Sequence, residues 1–362
     1  MHPNTRVLIL DTDLKEDLHW HCGMVEGELQ RLTEWVRSNG YSRVLLQYPP
    51  GLRDAASAIS LALKGIGVEV ISSGSSCWGG CDVASREALT AGCEAIVHVG
   101  HAKFIDVKDV PVFYYEARYD NYGPLSELLP KLREHLTGKS RVSLGMTVQW
   151  LDFLERFVND LKLMGLEVLT GAPGGHLVHR GQVLGCDYAT MLPLDSVVDA
   201  HLVVGSVFHG LGLALIARKE VYAADPHTQR ITPLSEAARR TLMRRYAQIE
   251  RFKAAKRVGV VVSLKPGQRY LGLARWLRER LGARGYDAEV VVVDEVRSEE
   301  LEGRYEALVN TACPRLSIED QERFRIPLLL PGEVLVAIGE LSWEELLRRG
   351  LASTYPQSWV MG

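Results

Sequence analysis

Long apolar runs are missing from this chain. No stretch approaches the ~20 continuous apolar residues that span a bilayer as a helix, so no membrane partner is expected. The opening Met1-His2-Pro3-Asn4-Thr5-Arg6 shows no secretory pattern, and a cytoplasmic location is expected. An excess of one charge is missing too: 42 Lys+Arg stand against 45 Asp+Glu, a net charge of −3. That balance argues against a bulk nucleic-acid binder, and no direct nucleic-acid contact is expected. Cysteine is sparse, with six in 362 residues: Cys22, Cys77, Cys81, Cys93, Cys186 and Cys313. In a chain this large without secretory context they are not a disulfide framework, which leaves reduced thiols, metal ligands or catalytic thiols.

What is present is an ordinary globular composition, 46% hydrophobic and 24% charged, arranged as alternating strand and helix patterns. The periodicity divides into three α/β segments, with expected domains at 1–138, 139–234 and 235–362. In the first, Leu29, Leu32, Trp35 and Val36 share one face of a helix over 26–39 that Gly40 stops. Strands are predicted at 44–48, 68–72, 95–100 and 111–115, with helices over 55–64, 84–91 and 125–136. The second segment predicts strands at 141–146, 166–169, 199–205 and 220–224, a helix over 151–164, and a loop at Ser206–Gly210. Gly138-Lys139-Ser140 reads as a linker: it follows a helix and lacks the upstream glycine of a phosphate loop. The third segment opens with a long basic helix over 235–257, either a solvated interdomain face or a docking face for an acidic protein or RNA surface. Strands at 258–264 and 288–293, a helix over 271–281 and a cysteine-ending strand follow, with apolar runs at 328–330 and 334–338.

That last strand organises the reading. Val309-Asn310-Thr311-Ala312 runs into Cys313, and Pro314, which has no N–H, ends the pairing there. A thiol then stands at the carboxyl end of a strand, where open α/β sheets bind ligands. The glycine-rich loop Gly74–Asp82 carries Cys77 and Cys81 after the second strand, and Gly181–Cys186 brings another thiol to the end of an apolar run. Separations of 105 residues from Cys81 to Cys186 and 127 from Cys186 to Cys313, without strong identity between segments, make the repeat one of architecture. Three distant thiolates suit a metal site assembled by tertiary structure. Iron–sulfur clusters usually take four cysteines, and three would leave one metal position open. Zinc with three thiolates and a water is the chemical rival. His101 and His209, just past strand ends, are candidates for a site or for structural hydrogen bonds.

Asn310-Thr311-Ala312-Cys313-Pro314-Arg315-Leu316-Ser317-Ile318, Gly181-Gln182-Val183-Leu184-Gly185-Cys186 and Gly80-Cys81-Asp82 resemble the three cysteine motifs of the diphthamide-synthesis radical enzymes. Val97–His101, Val204-Gly205 with Phe208-His209, and Asp225-Pro226 are similar to that family's other strand-end motifs, and the single-chain form with three cysteines looks like the archaeal homodimeric enzyme. The resemblance implies an α/β fold of three similar βα domains with parallel sheets, in pseudo-threefold arrangement around a central cluster. It implies a [4Fe–4S] cluster on Cys81, Cys186 and Cys313, S-adenosylmethionine at the open iron, and transfer of a 3-amino-3-carboxypropyl group. The acceptor would be C2 of a histidine imidazole in translation elongation factor 2, the first step of diphthamide formation. A homodimer and an electron donor of unknown identity are the other implied partners. Around the cationic, zwitterionic cosubstrate the expected residues are Gln47, Gly100, His101, Thr147, Gln149, Gly205, His209 and Gln268, with Arg315 a candidate for a carboxylate.

Some positions depart from the family pattern. Cys77 makes C-x3-C with Cys81 and is the alternative first ligand; Gly332-Glu333 stands where tyrosine often precedes glutamate, and Ala102 where serine is frequent. Two rival readings are an iron–sulfur Lewis-acid enzyme resembling quinolinate synthase and a noncatalytic electron-transfer partner subunit.

Overall fold

The computed structural model describes residues 26–350; Cys22 and the segment read for a leader lie outside them. Three sheets form from the runs of Val, Ile and Leu. The first contains β1 (Arg43–Gln47), β2 (Glu69–Ser72), β3 (Ala95–Val99) and β4 (Val112–Tyr115) in the order β2-β1-β3-β4, all parallel. The second contains β5 (Arg141–Met146), β6 (Glu167–Leu169), β7 (Ala200–Val204), β8 (Glu220–Asp225) and β9 (Arg230–Pro233) in the order β6-β5-β7-β8-β9. The third, β10 (Arg257–Ser263), β11 (Asp287–Val293), β12 (Ala307–Asn310) and β13 (Leu328–Leu329), is ordered β11-β10-β12-β13. Counting strands within each sheet, the order is 2-1-3-4 every time, so three similar βα domains are present. One strand breaks the parallel rule: β9 returns antiparallel to β8 through a turn at Asp225.

The central strands are apolar along their length because helices cover parallel sheets on both faces. Every residue of β3 and of β7 is buried. One core gathers Leu32, Ile59, Val97 and Tyr115 around the first sheet, and another packs Phe252, Val260, Leu277 and Val309 around the third. By its internal contacts the chain divides into two compact units. One comprises the described part of Met1–Gly79 with Ala84–Ala102 and Val107–Tyr122; the other comprises Gly80–Val83, Lys103–Asp106 and the chain from Gly123 onward. Within the second unit, Leu211, Leu215, Ala238, Ile318, Leu330 and Leu346 form a shared apolar cluster that ties the second and third sheets' helices to the long helix Ser235–Phe252.

One local device recurs. The Glu94 carboxylate accepts the backbone N–H groups of Ser42 and Arg43 at 2.5 and 3.0 Å. Asp199 does the same for Ser140 and Arg141 at 2.8 and 2.9 Å, and Glu306 for Lys256 and Arg257 at 2.6 and 3.3 Å. Each acid immediately precedes its sheet's third strand and clamps the start of the first. Arg43 and Arg141 then reach across to Glu69 and Glu167, their register partners on the second strand. The matching sequence signal is Arg-Val at 43–44, 141–142 and 257–258, with an acid before alanine at 94–95, 199–200 and 306–307.

Several local expectations change. Pairing of the cysteine-bearing strand ends sooner: β12 stops at Asn310, Thr311 N–H still donates to Val261 O at 3.2 Å, and Pro314 opens the helix Pro314–Ile318, where its missing N–H costs nothing. Ser206–Gly210 is not a loop but runs into the helix Val207–Ala214. Its glycines serve close packing: a Cβ on Gly210 would lie 2.6 Å from Leu234 Cδ1, and one on Gly212 2.5 Å from Tyr188 Oη. The helix expected over 125–136 is two, Gly123–Ser126 and Leu129–His135. Among the described residues no helix is long and apolar enough to cross a membrane.

A three-thiol cavity as candidate metal centre

Cys81, Cys186 and Cys313 line one cavity of about 380 Å³ in the second unit, together with Phe104, His176, Tyr188, Gln268 and Tyr270. None is in a disulfide, and each is only partly buried because its surface opens to the cavity. Cys77, the alternative first ligand, is not among the lining residues.

Each thiol is held by its own local architecture. Cys81 sits against the loop after β10: Gly267 N–H donates to Cys81 O at 2.8 Å, and Gln268 Nε2 donates to Cys81 Sγ at 3.2 Å. Gly267 is required there, since a Cβ would come within 2.6 Å of Cys81 Cα. Beside it, Lys265 Nζ pairs with Asp82 at 2.6 Å. Cys186 follows a segment that extends the second sheet: Met146 N–H bonds Gly181 O at 2.8 Å and Val183 N–H bonds Met146 O at 2.9 Å. The next residue, Asp187, accepts His176 N–H at 2.8 Å and Ala189 N–H at 3.0 Å, closing the loop. Cys313 precedes the helix Pro314–Ile318, fixed by Asn310 Nδ2 donating to Cys313 O at 2.8 Å and to Ser317 Oγ at 3.0 Å. The Phe208 ring links two of these loops. It packs on Gly185 and carries the Arg315 guanidinium 4.2 Å above its face, and Arg315 Nη2 donates to Phe208 O at 2.9 Å.

Burial raises all three thiol pKa values. Cys81 is pushed up to about 12 by desolvation and by the neighbouring Cys313, against the Gln268 hydrogen bond. Cys186 is raised by desolvation and by the other two sulfurs. For Cys313, desolvation is opposed by the N–H groups of Arg315 and Leu316 and by the Arg315 charge. Cys81 and Cys186 each feel the charge of Cys313, so the sulfurs are neighbours across the cavity. Yet they are not a trio whose sulfurs all lie within 4.8 Å. At least one pair is therefore wider than the ~3.8 Å to which a single zinc ion with Zn–S bonds of 2.3 Å draws its thiolates, and an iron–sulfur cluster is the other centre that three thiols can hold. Three thiols also leave one position of such a centre without a protein ligand.

Gln268 alone of the expected cosubstrate-binding residues lines this cavity. Thr147, Gly205 and His209 gather at the carboxyl ends of β5 and β7: a Cβ on Gly205 would meet Thr147 Cγ2 at 2.9 Å and His209 Nδ1 at 3.0 Å. Burial lowers the His209 pKa to about 4, with the Arg315 charge adding to the shift. Gln149 lies half-buried on the following 3₁₀ turn, Val148–Phe153. Gln47, Gly100 and His101 belong to the first unit, where Gln47 bonds His98 and His98 bonds His101. Sequence reasoning missed Phe104, His176, Tyr188 and Tyr270, which come from irregular loops. Phe104 stacks on His176 with ring centroids 4.0 Å apart.

A cavity walled by three thiols on the ligand-binding side of α/β sheets is the arrangement that a metal- or cluster-dependent protein of the α/β class requires. Sequence comparison narrows this. The family described as "Putative diphthamide synthesis protein" matches residues 48–347, and the chain belongs to this diphthamide synthesis family. It is 34% identical over 313 residues to the 2-(3-amino-3-carboxypropyl)histidine synthase of Pyrococcus horikoshii, covering 85% of this chain and 90% of that protein. Subunit 1 of the human enzyme of that name is 27% identical, over 84% of this chain and 69% of the human one. The crystal structure of Dph2 from Pyrococcus horikoshii with a 4Fe-4S cluster superposes with a TM-score of 0.79 at 32% identity, covering 87% of this chain and 91% of that one.

Proposed function

We propose that this chain is a 2-(3-amino-3-carboxypropyl)histidine synthase that uses S-adenosylmethionine as cosubstrate and a histidine of translation elongation factor 2 as acceptor. The observation that carries the reading is the convergence of Cys81, Cys186 and Cys313 on one cavity. The 34% identity to the Pyrococcus enzyme and the likeness to its cluster-containing structure support it. In this reading the three cysteines hold a [4Fe–4S] cluster, which when bound supplies the electron that cleaves the sulfonium's bond to the methionine γ-carbon.

The remaining work falls to the protein. Cys81, Cys186 and Cys313 fix the vacant coordination position toward the cavity, where the cosubstrate's methionine end is received. Gln268 orients the Cys81 sulfur through its N–H. Phe104, Tyr188 and Tyr270 wall the cavity and keep bulk water from the reacting centre. The buried Arg315 places positive charge beside Cys186 and Cys313. Thr147, Gln149, Gly205 and His209 are assigned to the cosubstrate as a polar group at the strand ends. The enzyme works as a cytoplasmic homodimer supplied by a separate electron donor.

The test is anaerobic incubation of reduced protein with S-adenosylmethionine and elongation factor 2. The factor is expected to gain the mass of one 3-amino-3-carboxypropyl group. Cys313→Ala is expected to lose both that product and most of the iron; a variant that keeps its full iron content rejects the ligand assignment.

A further inference from the structure

The first unit holds a second group of metal-competent side chains that the proposed reaction does not use. Cys77, His98 and His101 each offer one ligand atom, and these atoms lie within 4.8 Å of one another, the one such trio among the described residues. Cys77 and His98 are buried and His101 is half-buried.

The local chain explains how they meet. His98 sits on β3, one residue before its end. Gly100 follows with φ of +91°, a conformation that L side chains rarely adopt, and a Cβ there would lie 2.4 Å from Leu52 Cδ1. That turn folds His101 back onto His98, with ring centroids 5.1 Å apart.

The hydrogen bonds fix which nitrogen can bind. Gln47 Oε1 accepts the Ala84 N–H at 2.9 Å, so it is the carbonyl oxygen that faces His98 Nδ1 at 2.8 Å. His98 Nδ1 is therefore the donor, and its Nε2 carries the lone pair, 3.0 Å from His101 Nδ1. A carbonyl gripping the far nitrogen is the arrangement that orients a metal-ligating imidazole. An ion bonded to two imidazole nitrogens at 2.0–2.1 Å in tetrahedral fashion holds them about 3.3–3.4 Å apart. The observed 3.0 Å is a few tenths of an ångström shorter, so an ion takes the place of the bridging proton once the two rings part by about that much.

We propose that Cys77, His98 and His101 bind a divalent transition-metal ion of the zinc class, through a ligand set that shares no residue with Cys81, Cys186 and Cys313. One thiolate with two imidazoles is a borderline-soft set that selects zinc or cobalt over magnesium or calcium. Three protein ligands leave a fourth position, reached from the half-buried His101 side, for water or a small anionic ligand.

Cobalt(II) is the probe, added anaerobically to the full cluster-loaded chain. The expected result is one tightly held cobalt per chain, with a thiolate-to-cobalt charge-transfer band that zinc abolishes. Cys77→Ser should remove the band while leaving the iron content unchanged, and His98→Gln should remove the binding. Gln47→Leu should weaken it by roughly 10–100-fold, as loss of an outer-shell partner does. Should His98→Gln fail to fold, His101→Gln at the half-buried position replaces it. Absence of the band in the unaltered chain, its survival in both histidine variants, or loss of iron in Cys77→Ser would each overturn the proposal. The fate of the cobalt band in Cys81→Ser separates this site from the cluster reading: the band should persist there even as iron is lost.

Discussion

Arg245 Nε donates to Glu333 Oε1 at 2.7 Å, and both side chains are almost wholly removed from solvent. The same guanidinium donates to Ser317 O at 2.7 Å and to Leu328 O at 2.8 Å, so it joins the long helix to the helix that follows Cys313 and to β13. Glu333 in turn accepts Leu330 N–H at 2.7 Å. Breaking such a buried pair from one side strands the other charge and typically costs about 3–5 kcal/mol. Glu333→Gln and Arg245→Met are therefore expected to lower the thermal midpoint strongly. The double variant Arg245→Met with Glu333→Leu should recover a large part of the loss in the same melting experiment.

Gly267 packs directly on Cys81. Gly267→Ala places a Cβ 2.6 Å from Cys81 Cα and Cβ, against backbone that cannot swing aside. The expected outcome is a folded protein, by circular dichroism, with much reduced iron after anaerobic reconstitution. Gly282→Ala, which meets nothing within 4 Å, serves as the control and should load normally.

Gln268 donates to the Cys81 sulfur at 3.2 Å. A hydrogen bond to sulfur favours the more negative, reduced centre. Gln268→Leu should therefore lower the reduction potential of the loaded protein. If the bond contributes about 1 kcal/mol, the shift is roughly 40 mV for a one-electron couple. A redox titration followed by electron paramagnetic resonance checks this; an unchanged potential rejects the role.

The three acidic clamps predict how stability depends on pH. Backbone N–H donation holds the carboxyls of Glu94, Asp199 and Glu306 below their ordinary values. A depressed folded-state pKa contributes stability that is present above the unfolded carboxylate range, near pH 4, and is lost as pH falls through the folded value. The variant Glu94→Gln, Asp199→Asn, Glu306→Gln should melt lower than the parent at pH 7, and the gap should shrink toward pH 3. A gap that stays constant across that range would show that the charge does not matter.

Much of this architecture was readable in advance, and the reasons are local. Runs such as Val44-Leu45-Leu46 and Val260-Val261-Val262 can only be buried strands, and Gly40 and Gly65 mark where helices stop. The loops bearing Cys81, Cys186 and Cys313 stood out because each follows an apolar run. Other features were hidden for equally physical reasons. Arg245 lies among many basic residues on its helix, and nothing in helical periodicity reveals a carboxylate 88 positions away. Ser206–Gly210 read as a loop after its strand, whereas it enters the helix Val207–Ala214, whose glycines permit tight packing on Tyr188 and Leu234. Phe104, His176 and Tyr270 reach the cavity from segments without periodicity. The clamp repeat rests on two dipeptides per domain, too short a signal to register as sequence identity.

The clamps also divide the labour of each domain along its strands. They fasten the edge where every first strand begins, while Gly205, His209 and Cys313 stand beyond the opposite edge, where strands end. Anchorage and reactivity are thus separated by the length of a strand. Substitutions at the clamps should therefore act on stability, and those at the strand-end residues on the candidate site, through separate parts of each domain.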